Sequence, residues 1–200
     1  MNRTVKNICV YCGSGPGLRP AFAECARSLG RDMAKAGIGL VYGGGGRGLM
    51  GEIARSVIAN GGHVTGVIPD FLVHTEHAMR DLDNLVVTAS MHERKRQMFE
   101  RSDAFIALPG GIGTLEELVE QLTWAQLGQH TKPIILADIE GFWQPLLKLL
   151  AHMQELAFIR PGLEVRLNAV SDVSELLPRT IELAEEMAAT AAEDVVSSKF

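Results

Sequence analysis

The chain lacks any uninterrupted apolar run of 18 residues, so it holds no candidate for a membrane-crossing helix. Its opening, MNRTVKNICVYCGSG, has no apolar signal-peptide core and no small-residue cleavage site. A soluble, cytoplasmic protein is expected, with no membrane among its partners. Basic charge is not in excess: 19 Lys and Arg stand against 24 Asp and Glu, a formal charge of -5. That balance argues against nucleic acid as a partner, although a local basic cluster can still hold a small anion. Cysteine is scarce. Cys9, Cys12 and Cys25 are too few for a disulfide framework, and Cys9-x-x-Cys12 has no second ligand pair at zinc spacing. Reduced structural thiols and no metal are therefore expected.

What is present is ordinary globular material: 200 residues, 46% hydrophobic and 22% charged, which excludes disorder and suits one domain with a sizeable core. Apolar runs at residues 7–12, 38–42, 63–68, 84–88, 104–108, 133–137 and, more weakly, 167–170 read as strands. Helical patterns fall between them at 19–36, 49–60, 91–102, 115–128, 142–155 and 172–189. Several of the strands are continuously apolar, as strands covered on both faces must be. Alternation of this kind implies an α/β fold: a doubly wound parallel sheet in three αβα layers. A single domain over residues 1–190 is expected, with 191–200 as a flexible tail.

Ligands of such sheets sit beyond the carboxyl ends of the strands, and glycine is concentrated there. Gly13-Ser14-Gly15 follows the first strand, Gly43-Gly44-Gly45-Gly46 the second, and Gly110-Gly111-Ile112-Gly113 the fifth. Glycine leaves the backbone open to a ligand, and a helix that begins there offers unpaired N–H groups and a positive dipole end. Phosphate is the ligand these features suit. Neither of the two longer loops is a P-loop, since no Gly-Lys-Ser/Thr follows, and Gly43-x-Gly45-x-x-Gly48 is a poor dinucleotide fingerprint at a second strand. Any one loop alone is equally explained as a tight turn.

Thr114-Leu115-Glu116-Glu117 admits two readings. As Thr-x-x-Glu it is a capping box, with Glu117 turned back onto the start of its own helix. Alternatively one of the two glutamates faces a ligand and the other solvent, because successive helical residues point ~100° apart. A carboxylate beside a phosphate then needs a cation, and Met91-His92-Glu93-Arg94-Lys95-Arg96-Gln97-Met98 supplies candidates. That segment is equally a solvated basic helix face. Thr88-Ala89-Ser90 suits a cap for it, and His92 has no partner at metal-ligand spacing. Trp124 and Leu127 add apolar surface to the helix at 115–128, either as core or as a subunit interface.

MHERKRQM, whose arginine stands 23 positions before the last glutamate of PGGIGTLEE, resembles the paired motif of the Lonely Guy family of cytokinin-activating phosphoribohydrolases. VYCGSGPG, LVYGGGGRGLMG, GGHVTGVIP and WAQLGQHTKPIIL follow in family order, so the resemblance spans nearly the whole chain. It implies a Rossmann-like fold, homodimers or larger assemblies, and hydrolysis of the N-glycosidic bond of adenine-type nucleoside 5′-monophosphates, with no cofactor. By position, Arg94 and Glu117 match the catalytic pair. Lys95, Gly111, Ile112, Gly113, Thr114, Leu115, Glu116 and Thr123 match substrate contacts, and Glu76 in VHTEHAM matches an acidic one. Ile112 replaces the tyrosine common in plant members, which bears on base preference. "Lysine decarboxylase" is a name often attached to such sequences. The residues argue against it: Lys6, Lys35, Lys95, Lys132, Lys148 and Lys199 are the only lysines, and none sits in a pyridoxal motif.

The expected chemistry follows. Glycine loops hold the 5′-phosphate, Glu117 stabilises the sugar cation or activates water, and Arg94 offsets the acid, holds the phosphate or assists the departing base. A broader salvage nucleosidase acting on AMP, and a carrier that binds nucleotide without turnover, are the alternatives.

Overall fold

Both faces of the central strand are apolar, and this sets the architecture. In β1 (Asn7–Tyr11), Ile8 and Val10 point one way, into a cluster with Phe22, Leu29, Met33, Ile53 and Leu176. Cys9 and Tyr11 point the other way, against Met98, Phe105, Leu118, Leu122 and Trp143. A strand buried on both faces has no polar side to alternate with, hence the unbroken apolar runs. Each large side chain fully withdrawn from water contributes about 1.5–3 kcal/mol.

The computed structural model describes residues 5–159 and 167–197. After β1 come α1 (Pro20–Lys35), β2 (Gly39–Tyr42), α2 (Gly48–Ala59), β3 (Val64–Pro69), β4 (Asn84–Thr88), α3 (Met91–Glu100), β5 (Ala104–Ala107), α4 (Ile112–Gln126), β6 (Ile134–Ala137), α5 (Gln144–Glu155), β7 (Asn168–Val170) and α6 (Val173–Ser197). The strands form one sheet in the order β4-β3-β2-β1-β5-β6-β7, every pair parallel. Helices α1, α2 and α6 cover one face; α3, α4 and α5 cover the other. The α/β, three-layer expectation holds.

α1 shows why such segments are helical. Proline opens it, where no N–H is missed, and Phe22, Cys25, Ala26, Leu29 and Met33 recur on one buried stripe. The four-residue strands between such helices are too short to be stable alone, and their pairing supplies what propensity does not.

Successive strands run outward from β1 to β4, and the chain then returns to place β5 on the other side of β1. Loops leaving β1 and β5 therefore diverge and open a crevice at the switch point. Hydrogen bonds from Leu108 N–H to the Tyr11 carbonyl (2.9 Å) and from Gly13 N–H to the Pro109 carbonyl (3.1 Å) carry the pairing up to its lip.

Several boundaries differ from the sequence pattern, three of them at the starts of α4 and α5 and the end of α6. α4 begins at Ile112, not Leu115, because Gly111 takes the extended N-cap conformation (φ -91°, ψ -158°). A short 3-10 turn, Ile139–Gly141, precedes α5, so that helix starts at Gln144 instead of 142. α6 runs on to Ser197, past residue 189. Residues 198–200 of the expected tail, and 1–4 of the chain start, lie outside the described residues.

Among the described residues no helix is long and apolar enough to cross a membrane, and no group of three or more His, Cys, Asp or Glu is placed to hold a metal. Cys9, Cys12 and Cys25 are free and buried, and burial pushes all three thiols well above their ordinary pKa.

Candidate active site

The crevice holds a cavity of about 270 Å³ with a floor of Val10 and Cys12, and with Arg94 and Glu117 in its wall. Arg94 lies one turn into α3. Ser90 caps that helix: its Oγ accepts the Glu93 N–H (3.2 Å), while the Glu93 carboxylate accepts the Ala89 N–H (2.9 Å). This capping box fixes the entry of α3 and so the direction in which Arg94 leaves it. The guanidinium is buried. Its Nη2 donates to the Gly43 carbonyl at 3.2 Å and stands 3.7 Å from Glu117 Oε1, while Nε, also buried, has no partner among the described residues.

Glu117 faces it from α4, 8% exposed. Burial pushes its carboxyl up from 4.5 to about 7; Arg94 pulls it down, and Glu116 and Glu76 push it up further. A carboxyl near half-ionisation at neutral pH suits general base work. The capping-box reading of Thr114 and Glu117 does not survive. The helix starts ahead of Thr114, Gly111 occupies the cap with no side-chain bond, and Leu115 N–H makes the first-turn bond to the Gly111 carbonyl (3.0 Å). The N–H groups of Ile112, Gly113 and Thr114 precede any intrahelical acceptor, so they and the dipole end at the cavity suit an anion. Nothing stands within 4 Å of where a Cβ would be on Gly111 or Gly113, leaving the backbone open to approach.

The second glycine loop is different. Gly46 N–H donates to the carbonyls of Glu76 (3.1 Å) and His77 (3.0 Å), the Gly44 carbonyl accepts the Met79 N–H (3.1 Å), and Gly45 bridges Ala78. At the start of α2, the Leu49 N–H is taken by the Gly13 carbonyl (3.0 Å). The expected cradle of Gly43, Gly44, Gly45 and Gly46 therefore reduces to Gly43, the one member that lines the cavity. The other three are laced to residues 76–79, a strap following the 3-10 turn Asp70–Leu72. The turn brings Leu72 and the strap Glu76 to the cavity, where Glu76 Oε2 is buried without a partner among the described residues.

Of the residues singled out from the sequence, the fold gathers Gly43, Glu76, Arg94, Gly111, Ile112, Gly113, Thr114 and Glu117 around one space. It does not bring Lys95 there: its Nζ lies 2.6 Å from Glu116 and 2.9 Å from Glu120. Burial alone would lower its pKa, and hydrogen bonds to Glu116 and then Glu120 raise it past its ordinary value. Glu116 is spent on the same contact. Leu115 packs into the core under α4, and Thr123, exposed, donates to the Val119 carbonyl (2.8 Å). Gly110 turns to a neighbouring cavity of about 300 Å³ with Phe22 and Phe142, because the Thr114 side chain occupies its other side. Ser14, Met50, Leu72 and Met91 line the site unforeseen. Ser14 carried a signal, lying between two glycines after β1; Leu72 carried none. No lysine is among the lining residues.

Residues 50–180 match the family model described as possible lysine decarboxylase. A probable cytokinin riboside 5′-monophosphate phosphoribohydrolase of Oryza sativa subsp. japonica is 45% identical over 170 residues, covering 85% of this chain and 76% of its own length. A cytokinin riboside 5′-monophosphate phosphoribohydrolase of Arabidopsis thaliana is 42% identical over 195 residues, 98% of this chain and 87% of that one. Among solved structures, the Moco carrier protein from Chlamydomonas reinhardtii superposes with a TM-score of 0.66 at 22% identity, over 90% of this chain and 98% of its own, a likeness of fold alone.

Proposed function

Since the chain belongs to the Lonely Guy family of phosphoribohydrolases, which the possible-lysine-decarboxylase model covers, we propose that it hydrolyses the N-glycosidic bond of cytokinin riboside 5′-monophosphates and of AMP. The products are the free base and ribose 5-phosphate. One observation carries the reading: a carboxyl raised to about 7 stands 3.7 Å from a buried guanidinium, one turn inside a helix whose N-terminus lacks a side-chain cap.

The phosphate docks on the N–H groups of residues 112–114, and Ser14 adds a hydroxyl. Anchoring that end fixes the ribose, so binding energy remote from the reacting bond orients it. Ionised Glu117 takes a proton from water as the water oxygen bonds to C1′; the electron pair of the C1′–N bond leaves with the base, a proton from solvent neutralises the departing nitrogen, and Glu117 then gives its proton back to solvent. Arg94 restrains the negative charge of Glu117 and offers its unpartnered Nε to a phosphate oxygen or to a nitrogen of the departing base. Ile112, 81% exposed at the mouth, borders whatever the base carries. Amino-acid decarboxylation ordinarily requires a Schiff-base lysine in the pocket, and Lys95 is held outside by two carboxylates.

Incubation with AMP and with its N6-isopentenyl analogue, followed by chromatography, is expected to show free base from both. Release from AMP alone would make the protein a salvage nucleosidase, and release from neither would leave a nucleotide carrier.

The proposal includes a homodimer. Val119 on α4 and Leu127 just after it, with Leu149 and Met153 on α5 and Leu156 just after it, are exposed apolar side chains, more than a lone surface needs to show water. Light scattering is expected to give the mass of two chains; a single-chain mass would remove this part. It also takes the chain as one domain working in the cytoplasm, supported by the single sheet and the three unpaired thiols. Recovery of the protein in a membrane pellet on cell fractionation would contradict that.

A further inference from the structure

We propose that Gly43 is a positioning residue, whose missing side chain is the seat of the Arg94 guanidinium. The inference rests on the functional reading above and reassigns the four-glycine loop from the phosphate to the reacting pair.

A Cβ on Gly43 would lie 2.2 Å from Arg94 Nη2, far inside contact distance, and 3.4 Å from its Cζ. The same glycine's carbonyl accepts from Nη2 at 3.2 Å. One residue thus both makes the space and supplies the bond that fills it. Of the two partners the backbone is the one that cannot retreat, whereas the guanidinium is the end of a flexible side chain beside the cavity. On the backbone side, Gly46, Gly44 and the start of α2 are held by bonds to the strap and to the Gly13 carbonyl. On the arginine side the head group is buried, with Nη1 against the Met91 sulfur (3.8 Å). Met50, whose sulfur would lie 3.0 Å from the added carbon, is flexible and can shift. An added methyl therefore displaces the guanidinium, and Glu117 loses the positive charge that opposes its protonation.

A cradle role and a seat role predict different kinetics. In Gly43→Ala a displaced Arg94 is expected to lower kcat for AMP ~100-fold, the scale of an ångström-sized misplacement, with KM changed far less than kcat. The acidic limb of the pH–rate profile moves to higher pH, because Glu117 no longer has its cation. A loss of phosphate contact would instead raise KM and leave the limb in place.

The test is a double-mutant cycle of Gly43→Ala and Arg94→Ala, read in kcat, in KM and in thermal midpoint. Gly43→Ala is expected to cost activity and midpoint in the parent and little of either once Arg94 is already absent. Additive losses, or a KM effect with an unmoved limb, would overturn the proposal. If Gly43→Ala alone does not fold, recovery of a folded Gly43→Ala/Arg94→Ala protein supports the seat, and failure of both overturns it. The midpoints do not depend on turnover, so an inactive parent would refute the proposed reaction without deciding this question.

Discussion

Glu117→Gln is expected to abolish base release, with a fall in kcat of ~10³-fold or more, while AMP still binds. The amide keeps the shape of the carboxyl and cannot accept the proton of water; general base catalysis of this kind is worth ~10²–10⁴-fold, and stabilisation of positive charge on the sugar is lost with it. Two further readouts follow from the raised pKa. In the parent protein kcat/KM rises with pH through about 7 as Glu117 ionises, and the variant's residual rate lacks that limb. Stability moves the opposite way. A carboxyl raised from 4.5 unfolded to about 7 folded favours the folded state fully below about 4.5, and that contribution is lost as pH rises through about 7. The glutamine variant, neutral throughout, avoids the loss and gains on the order of 3 kcal/mol over the parent at alkaline pH, at ~1.4 kcal/mol per unit, and nothing in acid. Thermal unfolding of both proteins at pH on either side of this window checks it. Retained turnover would remove Glu117 from the reaction; equal stability at every pH would mean that folding does not raise its carboxyl.

Removing the phosphate from the substrate is expected to cost nearly as much. Adenosine presents no anion to the N–H groups at the start of α4, and a charged hydrogen bond contributes about 1.5–3 kcal/mol. Losing two of them amounts to ~10²–10⁴-fold in kcat/KM. Because the anchor orients the ribose against Glu117, part of the loss falls on kcat and survives saturation. Initial rates with AMP and adenosine across concentration decide it; comparable kcat values would mean that the anion site binds without aligning.

The sheet was legible in the chain because buried parallel strands announce themselves as apolar runs, and the helices between them as stripes. The site was legible only in part. Ser90-Met91-His92-Glu93 and Thr114-Leu115-Glu116-Glu117 share one spacing, yet the first is a capping box and the second is not. The difference lies in Gly111, whose extended backbone starts α4 early and carries Glu117 one turn inward; local spacing does not encode that shift. The run of four glycines looked like a ligand loop because glycine opens backbone to any close neighbour. Here most of those neighbours are the protein's own strap and helix. The turn and strap together, 70–79, follow no period, so Leu72 was invisible and Glu76 was reached through resemblance alone.

Lys95, lying outside the chamber, has a mechanical consequence for it. Arg94 is its neighbour on α3, and Glu117 sits between Lys95's two carboxylate partners, Glu116 and Glu120, along α4. The rim contact therefore ties the two helices beside the Arg94–Glu117 gap: sliding either helix past the other strains this ammonium clamp and changes that gap together.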